Sequence, residues 1–383
     1  MSKTGTCIAG APRVLFLSGK KLAAVCPPRE ERRNSMKVAS AVKIGDMKDP
    51  DPEKRGVVEI LDVPVKKPGA GEVLIKVAYC AICGSDPHVI GGIFGWEPPF
   101  GIGHELSGVV AEVGPDLLTD IKIGDRVGGN FRNTCGACYY CTNAMEQYCE
   151  NATEEPGMAE YVLWNEKQCV KLPDDVPLKT GCLIEPTSIA VRAMDKTNIK
   201  IGQNVVVSGG GPIGLLNLQL INIYGAANLT LLEPNPARRE LALKYGAKHV
   251  FDPLTDDVRA ETMKITNGHG FDVCLEVSGI PSAAELLVDI AAKCARLVYV
   301  AQYPRDYNLP LNLYDQLYMK ELDITGVFVS PYTFSRTAQI IGRLDLGDLT
   351  AVVYPLDQVK EAFEAHLTGK YPKVLVQCNP NLE

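Results

Sequence analysis

Between the apolar run Asn204-Val-Val-Val-Ser208 and a helical run from Leu215 to Tyr224 stands Gly209-Gly-Gly-Pro-Ile-Gly214. No other feature restricts the fold as much. Glycines at the first, third and sixth places, set between a strand and a helix, mark a turn that carries a dinucleotide. Gly209 permits the tight turn, Gly211 lets a pyrophosphate approach the backbone, and Gly214 packs helix on strand. Pro212 and Ile213 complete the turn, and the helix N-terminus faces the phosphates. Strand Leu229-Thr-Leu-Leu232 then ends in Glu233, 19 residues past Gly214, where such a fold places the acid that binds the ribose hydroxyls. A carboxylate there favours NAD over NADP because it would repel a 2′-phosphate. Arg238 and Arg239 could answer that phosphate or serve as solvated helix charges.

The alternation of strand and helix continues through Lys248–Phe251, Phe271–Val277, Arg296–Val300 and Leu322–Gly326. Six parallel strands make a complete doubly wound sheet. Residues 37 to 129 differ: short β-rich runs (Val57–Leu61, Glu72–Val77, Gly108–Val113, Gly124–Val127) are separated by Gly and Pro, the pattern of a compact β-barrel-like domain. Beyond Val329 the short segments return, and this tail is expected to rejoin the first domain. The expected class is α/β: a doubly wound sheet of residues 188–329 inserted in a β-rich domain of 36–187 and 330–383, after a flexible extension of 1–35.

The β-rich part holds the stretch with the most chemistry, Cys80-Ala-Ile-Cys-Gly-Ser-Asp-Pro-His88 through Gly103-His-Glu105. Cys83, His104 and Glu105 offer the mixed S/N/O set that suits zinc, and three protein ligands leave the open position a catalytic zinc needs. Ser85 and His88 could pass a proton outwards from that position; alone, His88 reads equally as a surface imidazole. Downstream, Glu185 in Leu183-Ile-Glu-Pro186 is a carboxylate in an apolar setting, a candidate for the metal's outer shell or a fourth ligand.

Cys135-Gly-Ala-Cys138-Tyr-Tyr-Cys141 is followed by Cys149. Two-residue gaps let sulfurs converge on one tetrahedron, so these four predict a closed structural zinc site. An iron–sulfur cluster also takes four cysteines, and disulfides would suit a secreted chain. An odd total of 13 cysteines in 383 residues, with no secretory core, fits a reduced cytoplasmic protein better. Cys80, Cys169, Cys182, Cys274, Cys294 and Cys378 lie in or beside apolar segments and read as buried small hydrophobes.

No apolar run approaches the roughly 18 residues of a membrane span. A net charge of −7, with no basic stripe interleaved with aromatics, argues against nucleic acid. The partner expected is a small molecule. Residues 1–35 are a different kind of sequence, with seven Lys/Arg against two Glu. Their one apolar run, Val14-Leu-Phe-Leu17, is too short for a secretory core.

Taken in order, the motifs resemble the zinc-dependent medium-chain dehydrogenases, and among them the sorbitol or polyol dehydrogenase branch. The resemblance covers residues 36–383. It rests on Cys83 to His88, Gly103 to Gly108 with Gly114, the four cysteines 135 to 149, Gly209 to Gly214, and Leu183-Ile-Glu-Pro186, which is similar to the polyol branch. It implies a GroES-like catalytic domain, a catalytic zinc held by Cys83, His104 and Glu105 or Glu185, a relay through Ser85 and His88, hydride transfer to NAD, and a homodimer or homotetramer. The expected substrate is a polyol, sugar alcohol or vicinal diol, with threonine-type and simple secondary alcohols as rivals. A non-catalytic zinc-stabilised dinucleotide-binding protein would not need the relay. Two departures bear on the cleft and the sheet: the segment between Cys149 and Ala159 is shorter than the family usually has, and Cys294-Ala295 stands where paired glycines are usual.

Overall fold

The computed structural model describes residues 35–382, so the expected extension lies outside the described residues except for Ser35, which opens the first strand, Ser35–Lys43. No described helix is long and apolar enough to cross a membrane.

Strand order explains why residues far apart in sequence meet. Strand Glu72–Ala81 is the hub of a seven-stranded sheet. It pairs antiparallel with Glu105–Val113 along its length, with Tyr161–Asn165 in its first half and with Leu375–Gln377 in its second. Its alternate side chains fill a core with Val73, Ile75 and Val77, closed by Trp164, Phe363 and Val376. The last strand pair, Val353–Pro355 with Leu375–Gln377, is parallel and joins this sheet. A smaller antiparallel sheet of Ser35–Lys43, Val57–Pro64 and Phe100–Gly101 stands beside it.

The six parallel strands run in the order His249–Phe251, Asn228–Leu232, Asn204–Ser208, Phe271–Glu276, Ala291–Tyr299, Asp323–Gly326. Both faces are covered, as parallel sheets require. Val205 and Val207 pack on one face with Leu215 and Leu218 of helix Pro212–Tyr224, while Val206 packs on the other with Cys274 and Leu297. Helix Ile184–Thr197 contributes Ile184, Ala190 and Met194 to the first of these cores, which also takes in Ala78 and Tyr79 of the hub strand. One apolar core thus joins the antiparallel and parallel sheets.

Two cysteines depart from expectation, and Cys169 is only half-buried. Cys294 is exposed and adopts φ +59° within Ala291–Tyr299, its N–H donating to the Lys320 carbonyl at 2.6 Å. The left-handed region is where glycine sits without strain, so Cys294 holds this backbone conformation at some cost, while Ala295 beside it is buried.

Buried Glu166 holds a loop to this frame. Its carboxylate accepts from Leu118 N (2.8 Å), Thr119 N (2.7 Å) and Thr119 Oγ1 (2.6 Å). Burial alone would raise its pKa, but these donors outweigh it and hold the carboxyl below its ordinary value. A depressed carboxyl contributes stability above its unfolded pKa, about 4.3, and loses it as pH falls through the folded value. Glu166→Gln is therefore expected to cost about 1–2 kcal/mol at pH 7, a difference that shrinks below about pH 4. Urea unfolding at the two pH values checks this.

Candidate active site

The register of the hub strand assembles the first donor set. Ala81 pairs with Glu105 on one side and Leu375 on the other, so Cys83, just past the hub strand, emerges beside His104 and Glu105 at the start of theirs. Ligand atoms of Cys83, His104 and Glu105 lie within 4.8 Å of one another. Glu185 is outside that set. It is buried in the first turn of helix Ile184–Thr197; burial pushes its carboxyl up to about 7, with Glu105 and Asp86 adding to the rise and His104 and Lys373 opposing it.

Two neighbours of this set were not recognised in the sequence. Asp86, buried, accepts from the Cys83 N–H at 2.8 Å and stands 3.4 Å from His104 Nδ1, which leaves Nε2 as the nitrogen free to ligate. Burial works against a charged His104, yet Cys83 and Asp86 outweigh it and hold its pKa well above the usual range. Lys373 Nζ lies 2.6 Å from Glu105 Oε1, both side chains almost fully buried. Burial would lower the Lys373 pKa, but Glu105 and Cys83 raise it above the ordinary lysine value. Lys373 could not be found from local spacing, because it reaches Glu105 only through the pairing of strands 268 positions apart.

Glu105 Oε2 is buried and has no hydrogen-bond partner. An orphaned carboxylate oxygen is costly, and here it belongs to a set with a thiol and an imidazole. These residues fit a zinc ion.

Ser85 precedes helix Asp86–Ile90, which carries His88. Residues three apart on a helix share a face. His88 is exposed and walls a cavity of about 580 Å³ with Gly84, Asp46, Lys48 and His366. Burial, with the Lys373 charge, pushes the His366 imidazole down to about 4, so it is neutral where His88 meets solvent.

The four cysteines of the lobe also converge, with ligand atoms within 4.8 Å. Cys138 N donates to Cys135 Sγ at 3.3 Å, and Cys135 N to Cys149 Sγ at 3.3 Å. N–H donors from Ala137 and Cys138, with Asn151, pull the Cys135 thiol down to about 6, whereas burial and the neighbouring sulfurs push Cys141 up to about 12. Four converging sulfurs, one with its pKa lowered by N–H donors, suit a structural zinc.

The glycine turn fits a dinucleotide in three ways. Gly209 has φ +108°; a Cβ at Gly211 would meet nothing within 4 Å, leaving its backbone open to a ligand; a Cβ at Gly214 would lie 1.9 Å from the Gly209 carbonyl oxygen. Pro212 and Ile213 form the first turn of helix Pro212–Tyr224. Glu233 is buried, and its carboxylate accepts from Gly210 N (2.6 Å) and Asn235 N (2.9 Å), so it also braces the turn. The arginines are not simple solvated charges. Arg238 Nη2 donates to the Gly369 carbonyl at 2.9 Å, and Arg239 Nη1 donates to the carbonyls of Glu233 and Pro234 and pairs with Asp252 at 3.2 Å.

Residues 69–174 match the family described as alcohol dehydrogenase GroES-like domain, and residues 212–343 the family described as zinc-binding dehydrogenase. The chain is 35% identical over 336 residues to L-threonine 3-dehydrogenase of Pyrococcus abyssi, covering 83% of this chain and 94% of that one. It is 30% identical over 336 residues to sorbitol dehydrogenase of Bacillus subtilis, covering 85% and 94%. Among solved structures it resembles 2R,3R-butanediol dehydrogenase of Bacillus subtilis at a TM-score of 0.76 and 27% identity, covering 90% of this chain and all of that one. With this fold, these converging donors and relatives matched over most of both lengths, the chain belongs to the zinc-dependent medium-chain dehydrogenases, oxidoreductases that work with zinc and a nicotinamide dinucleotide.

Proposed function

We propose that the protein oxidises a secondary alcohol bearing neighbouring polar groups to a ketone, with NAD as hydride acceptor. The convergence of Cys83, His104 and Glu105 within 4.8 Å carries this reading. The relatives move the threonine-type substrate ahead of the polyol favoured by the sequence motifs.

Bound zinc would supply a Lewis acid that lowers the pKa of the alcohol, and bound NAD the acceptor for hydride. Cys83, His104 and Glu105, through its free Oε2, are the residues to hold the metal. Asp86 fixes the orientation of His104, and Lys373 that of Glu105. Ser85 takes the hydroxyl proton and His88, open to solvent, delivers it to water. Glu185, buried near the donors, balances charge there. The glycine turn and Glu233 hold the dinucleotide. NAD is preferred to NADP because Glu233 would oppose a 2′-phosphate and Arg239 is already engaged by carbonyls and Asp252. Supporting a cytoplasmic setting are the described thiols, which remain free. Assembly as a homodimer or homotetramer belongs to the same reading.

The test is absorbance of reduced nicotinamide on presenting NAD or NADP with L-threonine, sorbitol, 2,3-butanediol and 2-butanol, with metal content measured on the same sample. Two zinc ions per chain and NAD-linked turnover are expected. One zinc per chain with no alcohol oxidised would overturn the reading.

A further inference from the structure

Strand Thr153–Glu154 lies in the segment after the cysteine lobe and pairs with Arg132–Asn133 before it, and both arms lead to His104. On one arm the Phe131 ring lies 4.9 Å from the His104 ring, one residue before Arg132. On the other, Gly157 N donates to the carbonyl of Gly103 at 2.8 Å, one residue before His104 and three after Glu154. The first arm is held in place: Gln168 Nε2 donates to the carbonyls of Asn130 and Phe131, and Arg132 N donates to Asn130 Oδ1.

Arg132 and Glu154 are directly paired in the register. Arg132 Nε stands 3.7 Å from Glu154 Oε1, beyond hydrogen-bonding distance, and is buried without a hydrogen-bond partner. Two more unpartnered buried polar atoms, Asn133 Oδ1 and Gln147 Oε1, belong to the same corner. Arg132, Gln147 and the Glu146 carboxylate wall a cavity of about 10 Å³ there with Ser330, whose hydroxyl is 2.6 Å from that of Ser188, one helical turn beyond Glu185. The Phe131 ring against the His104 ring, one residue from Arg132, is the direct contact between this corner and the donor set.

A guanidinium with a free N–H is matched by a carboxylate, which it can bind through two parallel hydrogen bonds. A carboxylate at its side is matched by an ammonium group. The two charges are close together, as are those of an α-amino acid. We propose that Arg132 and Glu154 are specificity-determining residues that select secondary alcohols carrying an α-amino acid group, Arg132 for the substrate carboxylate and Glu154 for its ammonium. The inference rests on the reading of the site as an alcohol dehydrogenase and narrows its substrate to the 2-amino-3-hydroxy acids.

The zinc- and NAD-loaded protein and its Arg132→Gln, Arg132→Lys and Glu154→Gln variants are assayed with L-threonine, 3-hydroxybutanoate and 2,3-butanediol. Binding of L-threonine is measured by calorimetry with NADH present, so that one readout needs no turnover. Arg132→Gln should lower the kcat/KM ratio of L-threonine to butanediol by about 10- to 100-fold, mostly through KM, the effect of losing a charged hydrogen-bond partner. Arg132→Lys should fall between, because it keeps the charge without the fork. Glu154→Gln should lower the ratio of L-threonine to 3-hydroxybutanoate about tenfold. Ratios that stay within twofold, or a loss shared equally by all three substrates, would overturn the inference. Turnover of diols with unchanged ratios sinks this inference alone. Arg132-dependent binding of L-threonine without oxidation of any alcohol sinks the proposed reaction and leaves the specificity assignment standing.

Discussion

Cys83→Ala lowers turnover by about three orders of magnitude or more and takes bound zinc from two ions per chain to one. Lewis-acid stabilisation is worth several kcal/mol of transition-state energy, and each 1.4 kcal/mol is tenfold in rate. The loss is expected in kcat. Unfolding should move little, because Cys83 lies past the end of the hub strand and is only partly buried, while the apolar residues beneath it are unchanged. Steady-state kinetics, metal analysis and a thermal scan on one preparation check it. Retention of both zinc ions by the variant would move the metal to a donor set without Cys83.

Lys373→Met destabilises the protein by about 3–5 kcal/mol, since removing one partner of a buried ion pair leaves the other charge uncompensated. Lys373 and Glu105 are 3% and 1% exposed, so solvent cannot replace the lost partner. The pKa of Lys373 is raised in the fold; such a group contributes its stability in full below its unfolded pKa, about 10.4, and loses it only as pH rises through the folded value. The deficit should accordingly be the same at pH 6 and pH 9 in urea unfolding. In the metal-free protein, where no zinc compensates Glu105, adding Glu105→Leu to Lys373→Met should recover part of the loss, because the unpaired Glu105 carboxylate is then gone. A double variant no more stable than the single one would mean that Lys373 matters for its packing and not its charge.

What could be read in the sequence was local. The glycine turn shows its three roles within six residues. Thiols two residues apart are already neighbours, and the alternation around Val205, Val206 and Val207 follows the period of a strand. Cys83 and His104 came within reach because the strands carrying them pair with each other. Lys373 and Asp86 stayed out of view for a different reason: a lysine in Lys373-Val-Leu-Val and an aspartate in a helix's first turn look ordinary until strand register gives them partners. Glu233 was placed correctly at its strand end, but its bonds to Gly210 and Asn235 depend on side-chain direction. Cys294 was misjudged because its apolar neighbours speak of burial, whereas its exposure follows from a backbone turn. The Arg132–Glu154 pair joins residues on either side of the cysteine lobe, and only strand pairing shows that they come face to face.

The pairing of Leu375–Gln377 with the hub strand also sets an order of events during synthesis. The parallel sheet is drawn from one continuous stretch, Asn204 to Gly326, and can close soon after that stretch leaves the ribosome. The antiparallel sheet begins with the first strands made, yet it waits for Val353–Pro355 and Leu375–Gln377, and Glu105 waits with it for Lys373. For most of translation the growing chain therefore carries an unfinished sheet edge and a charged carboxylate whose counter-ion has not been made. The parallel strands can pair before the antiparallel sheet is complete, while the core that the two sheets share waits for Leu375.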